Sequence, residues 1–120
     1  MTDEKLKQEQ ADEEMINQAF QHLLESYLTS KHRRKVEIIT KAFNFAKQAH
    51  KGVKRRSGEP YIMHPIAVAQ IACSEIGLGS TSICAALLHD VVEDTDYTVE
   101  DIENLFGPKV AHIVDGLTKI

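Results

Sequence analysis

The 120-residue chain predicts an all-α fold, an orthogonal helical bundle of about six helices. Apolar residues recur at three- and four-residue steps over most of the length, the period of a helix that buries one face. No stretch alternates apolar and polar residues as a half-buried strand does. Glycine, proline and capping residues punctuate the chain, so the periodic segments are joined by short connectors. A chain of this length supports one core, and a single compact unit is expected.

The segment up to about Gln10 is acidic and polar, with only Leu6 to bury, so residues 1–11 read as a flexible polar leader and 12–120 as the domain. Met15, Ile16, Ala19, Phe20, Leu23, Leu24, Tyr27 and Leu28 make the first amphipathic helix, which ends near Thr29-Ser30. Val36, Ile39, Phe43, Ala46 and His50 repeat the period in a second, until Gly52 offers a stop. Residues 51–61 hold two Gly, one Pro and four cations and read as a loop. A third helix opens at His64-Pro65, where proline at the first position wastes no hydrogen bond, and runs to about Gly77. Ser80 can cap a fourth helix carrying Ile83, Ala86, Leu87 and then His89-Asp90. Thr98 with Asp101 resembles a capping box for a fifth, and Gly107-Pro108 separates it from a sixth through Val110, Ile113 and Val114.

Composition narrows the function classes. Apolar residues at 42% and charged residues at 27% are ordinary for a globular protein, and a net charge of -4 leaves no general footprint for nucleic acid. Any phosphate recognition is therefore local. No apolar run reaches the ~20 residues that span a bilayer, and the polar N-terminal segment lacks the apolar core of a signal peptide. Cys73 and Cys84 sit in apolar helical contexts without metal-binding or redox spacing and read as packed free thiols. These features suggest a soluble, cytoplasmic protein.

The chemistry concentrates in Ala85-Ala86-Leu87-Leu88-His89-Asp90-Val91-Val92-Glu93-Asp94. Four ionisable groups follow an apolar stretch, and buried charge normally pairs or binds metal. On a helix, Glu93 falls one turn after His89 and Asp94 one turn after Asp90. Imidazole with carboxylate suits manganese, zinc or iron better than calcium or magnesium. A divalent ion so held acidifies water and neutralises charge on a phosphoryl oxygen, while a carboxylate handles the proton.

Arg55-Arg56-Ser57-Gly58-Glu59-Pro60-Tyr61-Ile62-Met63-His64-Pro65, the run from Ala85 to Thr95, Phe106-Gly107, and Val114-Asp115-Gly116-Leu117-Thr118-Lys119 together closely resemble the RelA/SpoT family. The match is to the N-terminal HD hydrolase domain of these long alarmone synthetase/hydrolases, and it covers roughly Met15 to Ile120. The resemblance implies an HD-type bundle that removes the 3′-pyrophosphate of (p)ppGpp in the stringent response, usually with manganese. It implies that His64, His89 and Asp90 are metal ligands, that Glu93 and Asp94 handle the attacking water, and that Arg55, Arg56 and Ser57 meet the guanine nucleotide. It further implies that another ligating Asp lies on a later helix, that Asp115 is not that ligand, and that the chain is a fragment lacking the C-terminal part of the domain. A missing helix would leave apolar surface that favours self-association as a homo-oligomer.

Each feature alone has a plainer reading. His64 before a proline is usually an ordinary helix-start residue, Glu93-Asp94 a solvated helix end, and Arg55-Arg56 a solvated loop; their combination reverses these readings. His22, His32, His50 and His112 read as surface or core histidines, with His50 nearest the site. Tyr61 reads as packing, with nucleotide contact the lesser alternative, and Phe20, Phe43, Phe45 and Phe106 as core. Two other functions stay open: an HD phosphohydrolase for another nucleotide, and a non-catalytic module that binds metal or nucleotide.

Overall fold

Ile83 to Leu88 form an unbroken buried run, and this run makes α4 (Ser80–Asp94) the helix around which the others assemble. A helix apolar on every side has no face to offer water, so it must be enclosed. The computed structural model describes residues 3–29 and 35–118, and encloses α4 with α2 (Val36–Ala49), α3 (Met63–Ser74) and α6 (Pro108–Thr118). Outside these, α1 (Asp3–Leu28) lies on α3 and touches α2, while α5 (Val99–Phe106) packs on α6. Among the described residues there is no strand, only an isolated bridge between Lys54 and Pro60. The all-α, six-helix expectation holds.

Leu23, Tyr27, Ile39, Ile83, Leu87, Leu88, Ile102 and Val114 are fully enclosed and belong to one continuous cluster. Each such aliphatic side chain stabilises the fold by roughly 1.5–3 kcal/mol relative to exposure. Phe20 of α1 stacks on Phe43 of α2 with ring centroids 3.9 Å apart, and Phe45 meets Phe106 edge-on at 5.7 Å. Cys73 and Cys84 are buried free thiols; burial raises both, Cys84 to about 12, which keeps them protonated and inert. No described helix is long and apolar enough to cross a membrane.

The Thr98–Asp101 capping box forms as the sequence predicts. Thr98 Oγ1 accepts from the Asp101 amide at 3.2 Å, and Asp101 Oδ2 accepts from the Thr98 amide at 2.9 Å. Gly107, at φ 95°, then adopts a conformation that only glycine reaches cheaply, and Pro108 starts α6 without a lost hydrogen bond.

Three boundaries differ from expectation. Helix α1 begins at Asp3, so residues 3–11 are helical rather than a flexible leader. Their side chains are exposed, and the helix is sustained there by good helix formers, by Asp3 and Glu4 in the first turn, and by the Gln8–Asp12 hydrogen bond at 2.9 Å. Helix α3 starts at Met63, which puts Pro65 third, still among the positions whose amides have no intrahelical partner. It ends at Ser74, short of Gly77. Gly79, not Ser80, is the N-cap of α4, and no side chain caps that end. Ser30 and His32 lie outside the described residues.

Candidate metal and phosphate site

The buried run of α4 ends in its last turns, where His89 is partly covered, Asp90 is buried, and Glu93 and Asp94 are exposed. His64, in the first turn of α3, arrives from across the helix pair with Nε2 3.8 Å from Asp90 Oδ2. His89 Nε2 lies 3.1 Å from Asp90 Oδ1. The two expected histidine ligands therefore both face the carboxylate of the third, Asp90.

The hydrogen bonding of His89 fixes what can sit between them. Its Nδ1 is 2.8 Å from the Ala86 carbonyl oxygen, which only accepts, so Nδ1 carries a proton and donates. In neutral His89 the Nε2 lone pair then faces an Asp90 oxygen, two acceptors at 3.1 Å. Such a pair needs a cation between its members. A proton is one solution, and the Asp90 hydrogen bond raises the His89 pKa, against burial and with help from the Ala86 carbonyl. Burial pushes the Asp90 carboxyl up, but the hydrogen bond and charge of His89 outweigh it and leave Asp90 below its ordinary value. A divalent metal is the other solution, and the donor types suit it: imidazole nitrogen and carboxylate oxygen. Asp90 Oδ2 is moreover buried without a hydrogen-bond partner, a costly state unless a cation meets it. Among the described residues no group of three or more His, Cys, Asp or Glu side chains is placed so that it could hold a metal ion as it stands.

Beside this convergence lies a cavity of about 690 Å³. Its walls are Ala49, His50, Val53, Lys54, Arg55, Arg56, Ser57 and Tyr61 on one side, and Asp94 and Thr95 at the end of α4 on the other. Arg55, Arg56 and Ser57 thus share one space with Asp94. The loop that carries them turns back on itself: Arg55 N donates to Glu59 O at 2.8 Å, Gly58 N to Arg55 O at 2.9 Å, and Tyr61 N to Val53 O at 2.9 Å. Gly58, at φ 88°, permits the turn at the tip. Glu93 does not line the cavity; it stands exposed beside His89, where its charge helps to raise that histidine.

Two residues outside the expected site set border it, one of them the histidine that the sequence placed nearest. Tyr61, read as packing, lines the cavity with its ring 4.9 Å from His50 and 6.2 Å from His64. Burial, then the Asp94 and Asp90 carboxylates, push its phenol pKa up, so it remains a proton donor beside both acids. His50 caps the C-terminal end of α2 and is buried against the site, with Nε2 unpartnered. Burial lowers its pKa although Asp90 and Asp94 pull the other way, so the ring is neutral. Its position after α2 and before the cationic loop was the available signal; for Tyr61 it was the one-turn spacing to His64. Lys54 and Thr95, both cavity walls, were passed over. His22 and His112 are exposed, as read.

A family model described as an HD domain matches residues 42–120. Over 93 residues the chain is 48% identical to the guanosine-3′,5′-bis(diphosphate) 3′-pyrophosphohydrolase of Aquifex aeolicus, an alignment covering 78% of this chain and 13% of that protein. Over 107 residues it is 44% identical to the bifunctional (p)ppGpp synthase/hydrolase SpoT of Escherichia coli, covering 89% of this chain and 14% of that one. A probable GTP pyrophosphokinase of Mycobacterium leprae is 52% identical over 85 residues, covering 71% and 11%. A solved structure, reported under the statement that a metazoan ortholog of SpoT hydrolyzes ppGpp and plays a role in starvation responses, superposes with a TM-score of 0.64 at 38% identity, covering 68% of this chain and 48% of that chain. The chain spans between 11% and 14% of the length of these curated relatives. With the fold, the His-Asp convergence and these matches together, the chain belongs to the HD-domain family, in the form carried by RelA and SpoT proteins.

Proposed function

We propose that this chain forms the N-terminal part of a hydrolase domain that removes the 3′-pyrophosphate of ppGpp and pppGpp, within a longer synthetase/hydrolase of the stringent response. One observation carries the reading: a single cavity brings a cationic loop opposite Asp94, immediately beside the converging His64, His89 and Asp90. The activities for which the Aquifex aeolicus and Escherichia coli relatives are named support the same substrate.

In this reading His64, His89 and Asp90 hold a divalent cation, manganese by preference. Bound there, such an ion supplies charge neutralisation at a phosphoryl oxygen and acidifies water. Arg55 and Arg56 grip phosphate oxygens through planar forks, and Arg55 can also stack on the guanine. Ser57 adds a hydroxyl donor on the same wall. Hydrolysis joins the water oxygen to the phosphorus on O3′ and breaks the bond from that phosphorus to O3′. The water proton passes to Asp94, which faces the cavity, or to Glu93, which orients the water from outside it. The departing O3′ takes up a proton as pyrophosphate leaves. Glu93→Ala is expected to keep metal affinity and lose about 10²–10⁴-fold in turnover; full turnover would remove Glu93 from the mechanism.

The deciding experiment is manganese-dependent release of pyrophosphate from ppGpp, by this chain and by a version continued through the next helices of its relatives. Turnover in the longer form, with little or none in the shorter, is the expected result, because the resemblance places a further metal ligand there. Turnover of another nucleotide but not ppGpp would assign a different HD phosphohydrolase. Binding of ppGpp without turnover in either form would assign a regulatory module.

A further inference from the structure

Helix α1 buries Ile16, Phe20, Leu23 and Tyr27 on one face, and one turn before Ile16 the same face carries Asp12. A carboxylate there is only 8% exposed and requires a partner. Its Oδ1 accepts from Gln8 Nε2 at 2.9 Å, and its Oδ2 is paired with the ammonium of Lys54, across from α1 on the stem of the cationic loop.

We propose that Asp12 is a positioning residue for nucleotide binding: it clasps Lys54 and so fixes the loop that presents Arg55, Arg56 and Ser57. The inference rests on the nucleotide reading of the cavity given above. The loop has little else to hold it. Residues 51–58 are exposed, and the backbone hydrogen bonds of residues 53–59 close on the loop itself and on His50 just before it. Beneath it lies a second cavity, of about 590 Å³, between α1 and the loop, which shares His50, Val53 and Lys54 with the first. The loop stem is therefore a thin wall between two spaces rather than a segment backed by packed atoms. Across the lower space, the Asp12–Lys54 pair ties the loop stem to α1. A second pair, Glu13 with Lys47, ties the same turn of α1 to α2. This also accounts for an α1 that extends well beyond its apolar stripe: the extension carries Gln8, which orients Asp12.

The test compares Asp12→Asn and Asp12→Glu with the unaltered chain by two readouts. Hydrogen exchange of the amides from Arg55 to Glu59, with trypsin cleavage after Arg55 and Arg56, reports the loop directly. Titration with ppGpp in the presence of manganese reports binding. Asp12→Asn is expected to expose the loop to exchange and cleavage and to weaken ppGpp affinity about fivefold, the scale of a partly screened ion pair. Asp12→Glu, which keeps the charge, should restore most of both. A merely neutralising role predicts the reverse, since releasing Lys54 would add a free cation to the cavity wall and tighten ppGpp binding; that result overturns the proposal. Unchanged loop protection in Asp12→Asn overturns it equally, as does lost protection with unchanged affinity. If neither the unaltered chain nor its form continued through the next helices of its relatives binds ppGpp, the nucleotide reading fails and, with it, the positioning role, while the exchange data still decide whether the clasp exists.

Discussion

His89 is held by its own helix through the Ala86 carbonyl, and that one bond sets the tautomer on which the site depends. Asp90 is its counterpart, an acid buried at the meeting point of two histidines. Replacing Asp90 with Ala removes the carboxylate to which both imidazoles point, and manganese binding measured by titration calorimetry is expected to vanish; retained affinity would place the ion elsewhere. His50 gives a pH signature of the opposite origin. Burial lowers its pKa, so the folded chain resists a proton that the unfolded chain takes up below about 6.5. Its contribution to stability is thus full above that pH and is lost as pH falls through the lowered folded value. His89, whose pKa is raised, acts in the other sense: its contribution is full below about 6.5 and fades as pH rises through the folded value. In the metal-free protein, His50→Gln is expected to show a smaller drop in melting temperature between about pH 7.5 and pH 5.5 than the unaltered chain. Parallel drops would mean that His50 is not held neutral.

At the scale of single helices, the structure separates what neighbours in sequence decide from what distant contacts decide. The α5 capping box is a local device, written in Thr98 and Asp101, and it was legible for that reason. Thr98→Ala is expected to lower stability by ~1 kcal/mol, read from denaturant unfolding; no change would mean that α5 is held by packing alone. The His-Asp run was legible too, because an apolar helix has few reasons to end in four ionisable groups. The start of α1 was not. Its first turns bury nothing apolar, and the partner of Asp12 lies 42 residues away, beyond the reach of any periodicity. Tyr61 was missed on similar grounds: what makes it a site residue is its proximity to Asp90 and Asp94, which the fold of α3 against α4 creates. The start of α3 misled because proline is tolerated throughout the first turn, not only at its first position.

Across the whole molecule, α4 joins stability to chemistry. Leu87 is fully enclosed two residues before His89, and Leu87→Ala is expected to lower stability by about 2–5 kcal/mol in chemical denaturation. A loss below about 1 kcal/mol would mean that the core collapses readily around the deletion, contrary to a close-packed centre. The cationic loop is built on other terms, exposed over residues 51–58 and joined to the rest by few ties. Chemistry and recognition are therefore mounted on parts that can change independently. On the proposed function, variation in residues 53–57 would alter which nucleotide is gripped without disturbing the core, whereas variation in α4 would alter both folding and reaction at once. Evolution toward a new substrate, in nature or in a selection experiment, has an open route through the loop and a closed one through the helix.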